Sequence, residues 1–125
     1  MTDALSSTSP LGDPAVGRGA AQGLEAVTVV AEVRAKPERQ GAFLIELLAT
    51  TAQWAGEPGC LNVTVLRDSA DPARFVVLET FASAQALQLH ETLPSTREFL
   101  GRVQQHLAAP PSRTTCQLAS QPGPA

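Results

Sequence analysis

Two glutamates and one histidine are the side chains of this sequence best suited to transfer a proton. Glu32 and Glu79 each lie in a run of apolar residues, and His90 follows in an amphipathic segment. A carboxyl group that faces an apolar cavity has a raised pKa, and imidazole has an ordinary pKa of about 6.5, so both suit acid and base chemistry near neutrality. The predicted chemistry is removal of a proton from a phenol or hydroquinone.

Each of these residues also has a structural interpretation. A glutamate on a strand often forms an ion pair or reaches water, and a histidine near a helix end often lies at the surface, where its charge complements the helix dipole. The sequence leaves open whether Glu32 and Glu79 lie close together, close to Arg34, or on opposite faces of a sheet. His106, near the end of the last predicted helix, is given the structural role.

Four further residues are candidates for substrate binding. Arg34 and Asn62 are polar residues on apolar strands, where each needs a partner or water. Phe81 offers an aromatic wall for a planar ligand. Trp54, the single tryptophan, falls at the end of an apolar helix stripe, so packing in the core is the alternative to ligand contact.

The hydrophobic pattern predicts the elements that position these residues. β-rich runs predict strands over 27–35, 61–67, 75–81 and 114–119. A helix is predicted over 38–55, because these apolar or small residues recur at three- and four-residue steps: Phe43, Leu44, Leu47, Leu48, Thr51 and Trp54. Ser83 predicts the start of a second helix that carries His90, and Pro94 interrupts it before a further helical piece that ends near Leu107.

This element order, strand-helix-strand-strand-helix-strand, predicts an α+β, ferredoxin-like fold. The sheet is expected to be four-stranded and antiparallel, with helices on one face. The strands are apolar on both faces: in the first strand Val29 and Val30 point in opposite directions, as do Val77 and Leu78 in the third. Two helices cover only one face, so a second copy of the chain is predicted to cover the other, giving a homodimeric α/β barrel with a cavity.

The length of 125 residues and the composition bound the remaining possibilities. Residues 26–119 are predicted to form one domain, residues 1–25 a flexible arm and residues 120–125 a flexible tail. A net charge of −3 with nine scattered Lys and Arg argues against nucleic acid and against an anionic membrane as partners. Without a bilayer-length apolar run or a signal peptide, the expected location is cytoplasmic.

Cofactor motifs are not found in the sequence. Phosphate-binding loops, dinucleotide fingerprints and metal-ligand spacings are missing, so neither a cofactor nor a metal is predicted. Cys60 and Cys116 fit neither a zinc site nor a disulfide framework and are expected to be two reduced thiols. Cys60 has no histidine close in sequence, which makes a nucleophilic role the lesser alternative.

Several linked motifs resemble the antibiotic biosynthesis monooxygenase (ABM) family over about residues 26–119. They run in family order: Glu57-Pro58-Gly59-Cys60-Leu61, a strand ending in Arg67-Asp68, Asp71-Pro72-Ala73-Arg74-Phe75, Glu79-Thr80-Phe81, and a helix with His90. The resemblance implies ferredoxin-like dimers that oxidise phenols and quinols with molecular oxygen, usually without a metal, flavin or other prosthetic group.

The resemblance also implies roles for particular residues. Glu32 is similar to the first-strand acid of the family, Glu79 to the acid of its E-x-aromatic motif, and His90 to the first histidine of H-x-x-x-P-H-[FY]. Where many members have the second histidine and the aromatic residue, this chain has Ser95 and Thr96. The implied partners are a small aromatic substrate and oxygen; the alternatives are a ligand-binding or accessory dimer without turnover, and an isomerase of a small oxidised metabolite.

Overall fold

The computed structural model describes residues 25–119, which form a four-stranded antiparallel sheet with the helices packed on one face. The strands are β1 (Val27–Arg34), β2 (Cys60–Arg67), β3 (Arg74–Phe81) and β4 (Ser112–Gln117), in the order β2-β3-β1-β4. The helices are α1 (Gln40–Trp54), α2 (Ala84–Thr92) and α3 (Pro94–Arg102), with 3₁₀ turns at Pro37–Arg39 and Val103–His106. The predicted ferredoxin-like fold is confirmed.

Two of the predicted segments fall at the ends of the chain. The arm over 1–25, apart from Glu25, and the tail over 120–125 lie outside the described residues. Of the helices in residues 25–119, none has both the length and the apolar character needed to cross a bilayer.

The register of the central strand β1 determines which side chains share a face of the sheet. Val29 lies opposite Glu79 of β3 and Thr115 of β4, whereas Glu32 lies opposite Val76. Successive side chains of a strand point to opposite faces, so Glu79 and Glu32 lie on different faces. We call the face of Val29 and Glu79 the helix face, and the face of Glu32 and Val76 the open face.

The core lies between the helix face and the helices. Its larger cluster packs α1, α3 and the 3₁₀ turn Val103–His106 against β1 and β3. It includes Phe43, Leu47, Trp54, Phe75, Val77 and Phe99. A smaller cluster of Val27, Val29, Phe81 and Leu87 continues it beneath α2. Burying each such large side chain stabilises the fold by about 1.5–3 kcal/mol.

The predicted apolar stripe of α1 is wrong at one position. Phe43, Leu47, Thr51 and Trp54 are buried, but Leu48 is 49% exposed. Four residues after Leu44, Leu48 lies on the flank of the helix, so the stripe that meets the sheet is narrower than the hydrophobic pattern indicates.

Pro94 divides the second helical segment, as predicted. The Ser83 side chain accepts a hydrogen bond from the Ala86 N–H and caps the start of α2. Leu93, the residue before the proline, has φ −65° and ψ 135°, an extended conformation that ends α2 and lets α3 begin at Pro94. The break places His90 in the last turn of α2.

The turn between α1 and β2 depends on Gly59. This residue has φ +83°, which favours glycine, and a Cβ placed on it would lie 2.6 Å from the Cβ of Ala86 in α2. The Gly59 carbonyl accepts a hydrogen bond of 2.8 Å from the Ala82 N–H after β3. The turn is therefore held tightly against the start of α2.

We predict that Gly59→Ala lowers the free energy of unfolding by about 2–4 kcal/mol, since the new methyl group meets both a strained φ and the side chain of Ala86. Urea denaturation measures the change. Gly101→Ala is the matched control: a Cβ at this helical position meets nothing within 4 Å, so a gain of about 0.5–1 kcal/mol is expected. A neutral Gly59→Ala would contradict the tight packing of this turn.

Candidate active site

An aromatic cluster surrounds His90 at one end of the helix face. The Trp54 ring at the end of α1 lies edge-on to the imidazole at 4.7 Å between centroids, and the Phe81 ring at the end of β3 lies at 5.1 Å. His90 is only 4% exposed. The alternative of a surface histidine is therefore wrong, and the sequence candidates Trp54, Phe81 and His90 are in contact.

Glu57 fixes the orientation of the His90 ring. It lies in the turn between α1 and β2, and its Oε1 is 2.7 Å from Nδ1 of His90. A carboxylate only accepts hydrogen bonds, so Nδ1 carries the proton and donates a hydrogen bond to Glu57. In the neutral ring, Nε2 is then the nitrogen with a free lone pair.

Glu79 lies at the other side of the imidazole. Its Oε1 is 3.5 Å from Nε2 of His90. This separation is long for a hydrogen bond, so both atoms retain capacity to bind a third group such as a substrate hydroxyl. Glu57, His90 and Glu79 thus form a line of two carboxyl groups with an imidazole between them, which we call the acid–histidine cluster.

Burial determines the acidity of Glu79, which is 8% exposed. Loss of solvent raises the pKa of this carboxyl above its ordinary value; the charges of His90 and Arg113 act in the opposite direction, and Glu57 adds to the rise. Glu79 therefore keeps its proton to higher pH than an exposed glutamate. The cluster can hold a proton on Glu79 or on His90 and pass it to or from a bound hydroxyl group.

Cys60 borders the cluster at the start of β2. Burial raises the pKa of its thiol, a hydrogen bond with the backbone of Asn62 opposes the rise, and the carboxylates of Glu57 and Glu79 add to it. A thiol held in its protonated form is a poor nucleophile. Cys60 and Cys116 are both free thiols, as predicted, and they lie on the two edge strands.

The remaining sequence candidates lie on the open face, away from His90. Glu32 forms an ion pair with Arg74, and Arg34 with Asp71. The Asn62 side-chain amide donates to the Thr64 hydroxyl at 3.0 Å. The structure therefore brings together His90, Glu79, Phe81 and Trp54, and it separates them from Glu32, Arg34 and Asn62.

A shallow depression of about 210 Å³ lies beside this second group and is lined by Glu32, Arg34 and Arg74, among others. Its lining is charged, and Arg74 forms ion pairs with Asp68 as well as Glu32. A planar aromatic ligand needs apolar walls with a few polar groups. The aromatic surroundings of His90 match that requirement better than this charged depression.

His106, the other histidine of this chain, has a different environment from His90. His106 is 3% exposed, and its Nε2 lies 2.8 Å from Oε2 of Glu46. Arg102 and His106 together hold the pKa of Glu46 below its ordinary value. This pair ties the last 3₁₀ turn to α1, so His106 is a buried contact between elements and not a surface residue.

A buried hydroxyl without a hydrogen-bond partner among the described residues lies on α3. Thr96 lies on the face of α3 that also carries Phe99, whose ring is 5.4 Å from that of Trp54. The buried hydroxyl of Thr96 has no hydrogen-bond partner among residues 25–119.

Within residues 25–119, no three His, Cys, Asp or Glu side chains converge in the manner of a metal site.

Glu57 is the residue of the cluster that sequence reasoning missed. In the sequence it stands out only as the first residue of the motif Glu57-Pro58-Gly59-Cys60-Leu61, which assigns it no role. Turns carry no periodicity that reports which way a side chain points, and Glu57 is 33 residues from His90 in sequence. The opposite positions of Glu32 and Glu79 did have a signal, because Glu79 alternates in phase with Phe75, Val77 and Phe81 while Glu32 is out of phase with Val29.

Comparisons with known proteins identify the family and the fold. Residues 26–102 match the family profile described as antibiotic biosynthesis monooxygenase (ABM). No functionally curated protein matches the chain in sequence.

Solved structures share the fold. A conserved protein from Methanosarcina mazei has a TM-score of 0.74 at 20% identity, over 78% of this chain and 97% of that chain. Proteins provisionally named antibiotic biosynthesis monooxygenases are also similar. The one from Nitrosomonas europaea has a TM-score of 0.73 at 19% identity, over 79% of this chain and 95% of its own. The one from Deinococcus radiodurans has 0.73 at 18%, over 79% and 98%. At these identities the likeness establishes the fold alone.

We predict that Glu79→Gln raises the melting temperature near pH 8 and that this gain disappears toward pH 4. The raised pKa of Glu79 means that the folded state binds the proton more tightly than the unfolded state. The corresponding stabilisation is complete below the unfolded pKa of about 4.3 and is lost as pH rises through the folded pKa. Glutamine does not ionise, so the variant escapes that loss.

Thermal unfolding of both proteins across this pH range measures the effect. Glu98→Gln, at an exposed position of α3, is the matched control and should show no such pH-dependent gain. A loss of stability in Glu79→Gln at every pH would contradict the electrostatic description of the cluster.

Proposed function

The chain belongs to the antibiotic biosynthesis monooxygenase family, and we propose that it oxidises a quinol or polycyclic phenol with molecular oxygen and without a cofactor. The observation that carries this proposal is the acid–histidine cluster. A base held at a defined nitrogen between aromatic rings, with Glu57 on Nδ1 and Glu79 beside Nε2, suits removal of a phenolic proton.

In the proposed reaction Nε2 of His90 takes the phenolic proton, and Glu57 stabilises the imidazolium that forms. The substrate anion passes one electron to oxygen, and the resulting radical pair joins to form the new carbon–oxygen bond. For a substrate with a methylene group conjugated to the phenol, the methylene becomes a carbonyl. For a quinol, a ring carbon that carries a hydrogen is oxidised and the product is a hydroxyquinone. In both cases one oxygen atom enters the product, and the other leaves as water with two hydrogens of the substrate, so the substrate is the only reductant.

The aromatic residues provide the walls of the site. Phe81 is fully buried, and Trp54 is 6% exposed. Both rings exclude water from the imidazole, which strengthens the interactions of the charges formed during proton transfer. Glu32, Arg34 and Asn62 have no part in this proposal because they lie on the open face.

Oxygen consumption by purified protein with a panel of hydroquinones and anthrones tests the proposal. We predict that His90→Gln lowers kcat by about 100-fold or more, because the base is lost. Glu57→Gln should give a smaller loss, since the imidazole remains but is no longer oriented by a carboxylate. Retained activity in Glu32→Gln is the expected result for a residue on the other face of the sheet.

Binding can be followed independently through Trp54, since the chain has no other tryptophan and no tyrosine. Oxygen uptake that is equal in His90→Gln and wild type would contradict the role of His90. If no compound of the panel supports uptake but Trp54 fluorescence changes on binding, the accessory-dimer alternative replaces the oxygenase. A product of unchanged oxidation state would favour the isomerase.

The proposal includes a homodimer and a cytoplasmic location. The open face carries Val30, Val76 and Leu78, all partly buried, and Leu66, which is 48% exposed. Val30 and Leu78 are direct neighbours across β1 and β3. This apolar strip lies on the side of the sheet that the helices do not cover, and a second copy of the same face is a self-complementary partner for it.

We predict that Leu78→Asp weakens dimerisation at least about 100-fold, because an unpaired charge would be buried between the two sheets. Sedimentation equilibrium measures the association constant. Ile45→Asp is the control: Ile45 is 72% exposed on α1 and lies on the helical side of the domain. A wild-type protein that remains a monomer at all concentrations would contradict the dimer.

A further inference from the structure

Arg113 on the edge strand β4 lies on the same face as the acid–histidine cluster. It is opposite Ala31 of β1, which is opposite Val77 of β3. Glu79 occupies the next row of that face, roughly 10 Å across the sheet and about 7 Å along it by ordinary strand spacing. Every residue of β4 is exposed, so the helices leave this edge open. A molecule that approaches the cluster from this edge meets Arg113 first.

The partner of Arg113 is Glu91, the residue directly after His90. The two side chains form an ion pair in which Arg113 is 48% exposed and Glu91 is 39% exposed. Such exposed pairs contribute little to stability, so another anion can replace Glu91 at small cost. The positive charge acts on the cluster itself: burial raises the pKa of Glu79, and His90 and Arg113 are the charges that lower it.

The charges of the cluster explain what a cation at this position does. Glu57 and Glu79 would repel an anionic ligand, and Arg113 offsets that repulsion at the β4 edge of the sheet. The planar guanidinium group donates two parallel hydrogen bonds to a carboxylate, a match that lysine does not provide. A group bound at Arg113 therefore lies one row from Glu79 on the same face of the sheet.

We infer that Arg113 binds a carboxylate of the substrate, so that the site selects a quinol or phenol that carries a carboxylate group. This inference rests on the proposed function, which it deepens by naming the substrate class. Arg113 is a specificity-determining residue in this description, while the proton is still transferred at His90.

The test compares 2,5-dihydroxybenzoate with hydroquinone, which differ only in the carboxylate. We expect the ratio of their kcat/KM values to fall about tenfold in Arg113→Gln, mostly through KM for the carboxylated compound, and to be partly restored in Arg113→Lys. Glu91→Gln should raise the ratio, because it releases the guanidinium group. An unchanged ratio in Arg113→Gln would overturn the inference.

Arg97→Gln is the matched control for the loss of one positive charge. Arg97 is exposed on α3, so its replacement should leave the ratio as in the wild type. An equal fall in Arg97→Gln would mean that net charge, and not Arg113, determines the preference, and would overturn the inference.

A failure of the proposed function gives a different result. In that case wild type consumes no oxygen with either compound, and Trp54 fluorescence is titrated with benzoate and phenol instead. Weaker binding of benzoate, but not of phenol, in Arg113→Gln would support the carboxylate site without the oxygenase. Equal benzoate affinities in wild type and variant would overturn it.

Discussion

The hydrogen bond between Glu57 and His90 is the contact on which the site depends. It is 2.7 Å long and joins the turn after α1 to the last turn of α2, two segments that are 33 residues apart. Three local features position Glu57 and His90. Gly59 lets the turn approach Ala86, Ser83 caps the start of α2, and Pro94 ends α2. Without this alignment, neither nitrogen of the imidazole would have a defined role.

The two faces of the sheet differ in burial and in the residues that they carry. On the helix face, one strand end carries Glu79 and Phe81 toward His90, where low exposure makes ionisation of the carboxyl costly. On the open face, ion pairs such as Arg74 with Glu32 lie near solvent beside an apolar strip around Leu78. The same alternation of side chains thus places a buried acid–histidine cluster on one face and a partly exposed apolar strip on the other.

Much of the fold follows from sequence because its elements have local signals. Strand runs, the Ser83 cap and the Pro94 break each act within a few residues, and the structure agrees with them to within about two residues, the usual uncertainty of element ends. The site is less predictable because it depends on tertiary register. The phase of Glu32 and Glu79 within their strands indicates opposite faces, but only the pairing of Val29 with Glu79 shows which of the two lies under the helices. Glu57 lies in a turn, where no periodic pattern reports its direction.

The tautomer of His90 tests the central claim most directly. A two-bond ¹H–¹⁵N NMR spectrum distinguishes the two neutral forms of each imidazole, and His106→Gln assigns the signals of the two histidines. We predict that neutral His90 carries its proton on Nδ1, toward Glu57, and neutral His106 on Nε2, toward Glu46. A neutral His90 protonated on Nε2 would contradict the account, because the nitrogen facing Glu79 would then have no lone pair with which to accept a proton.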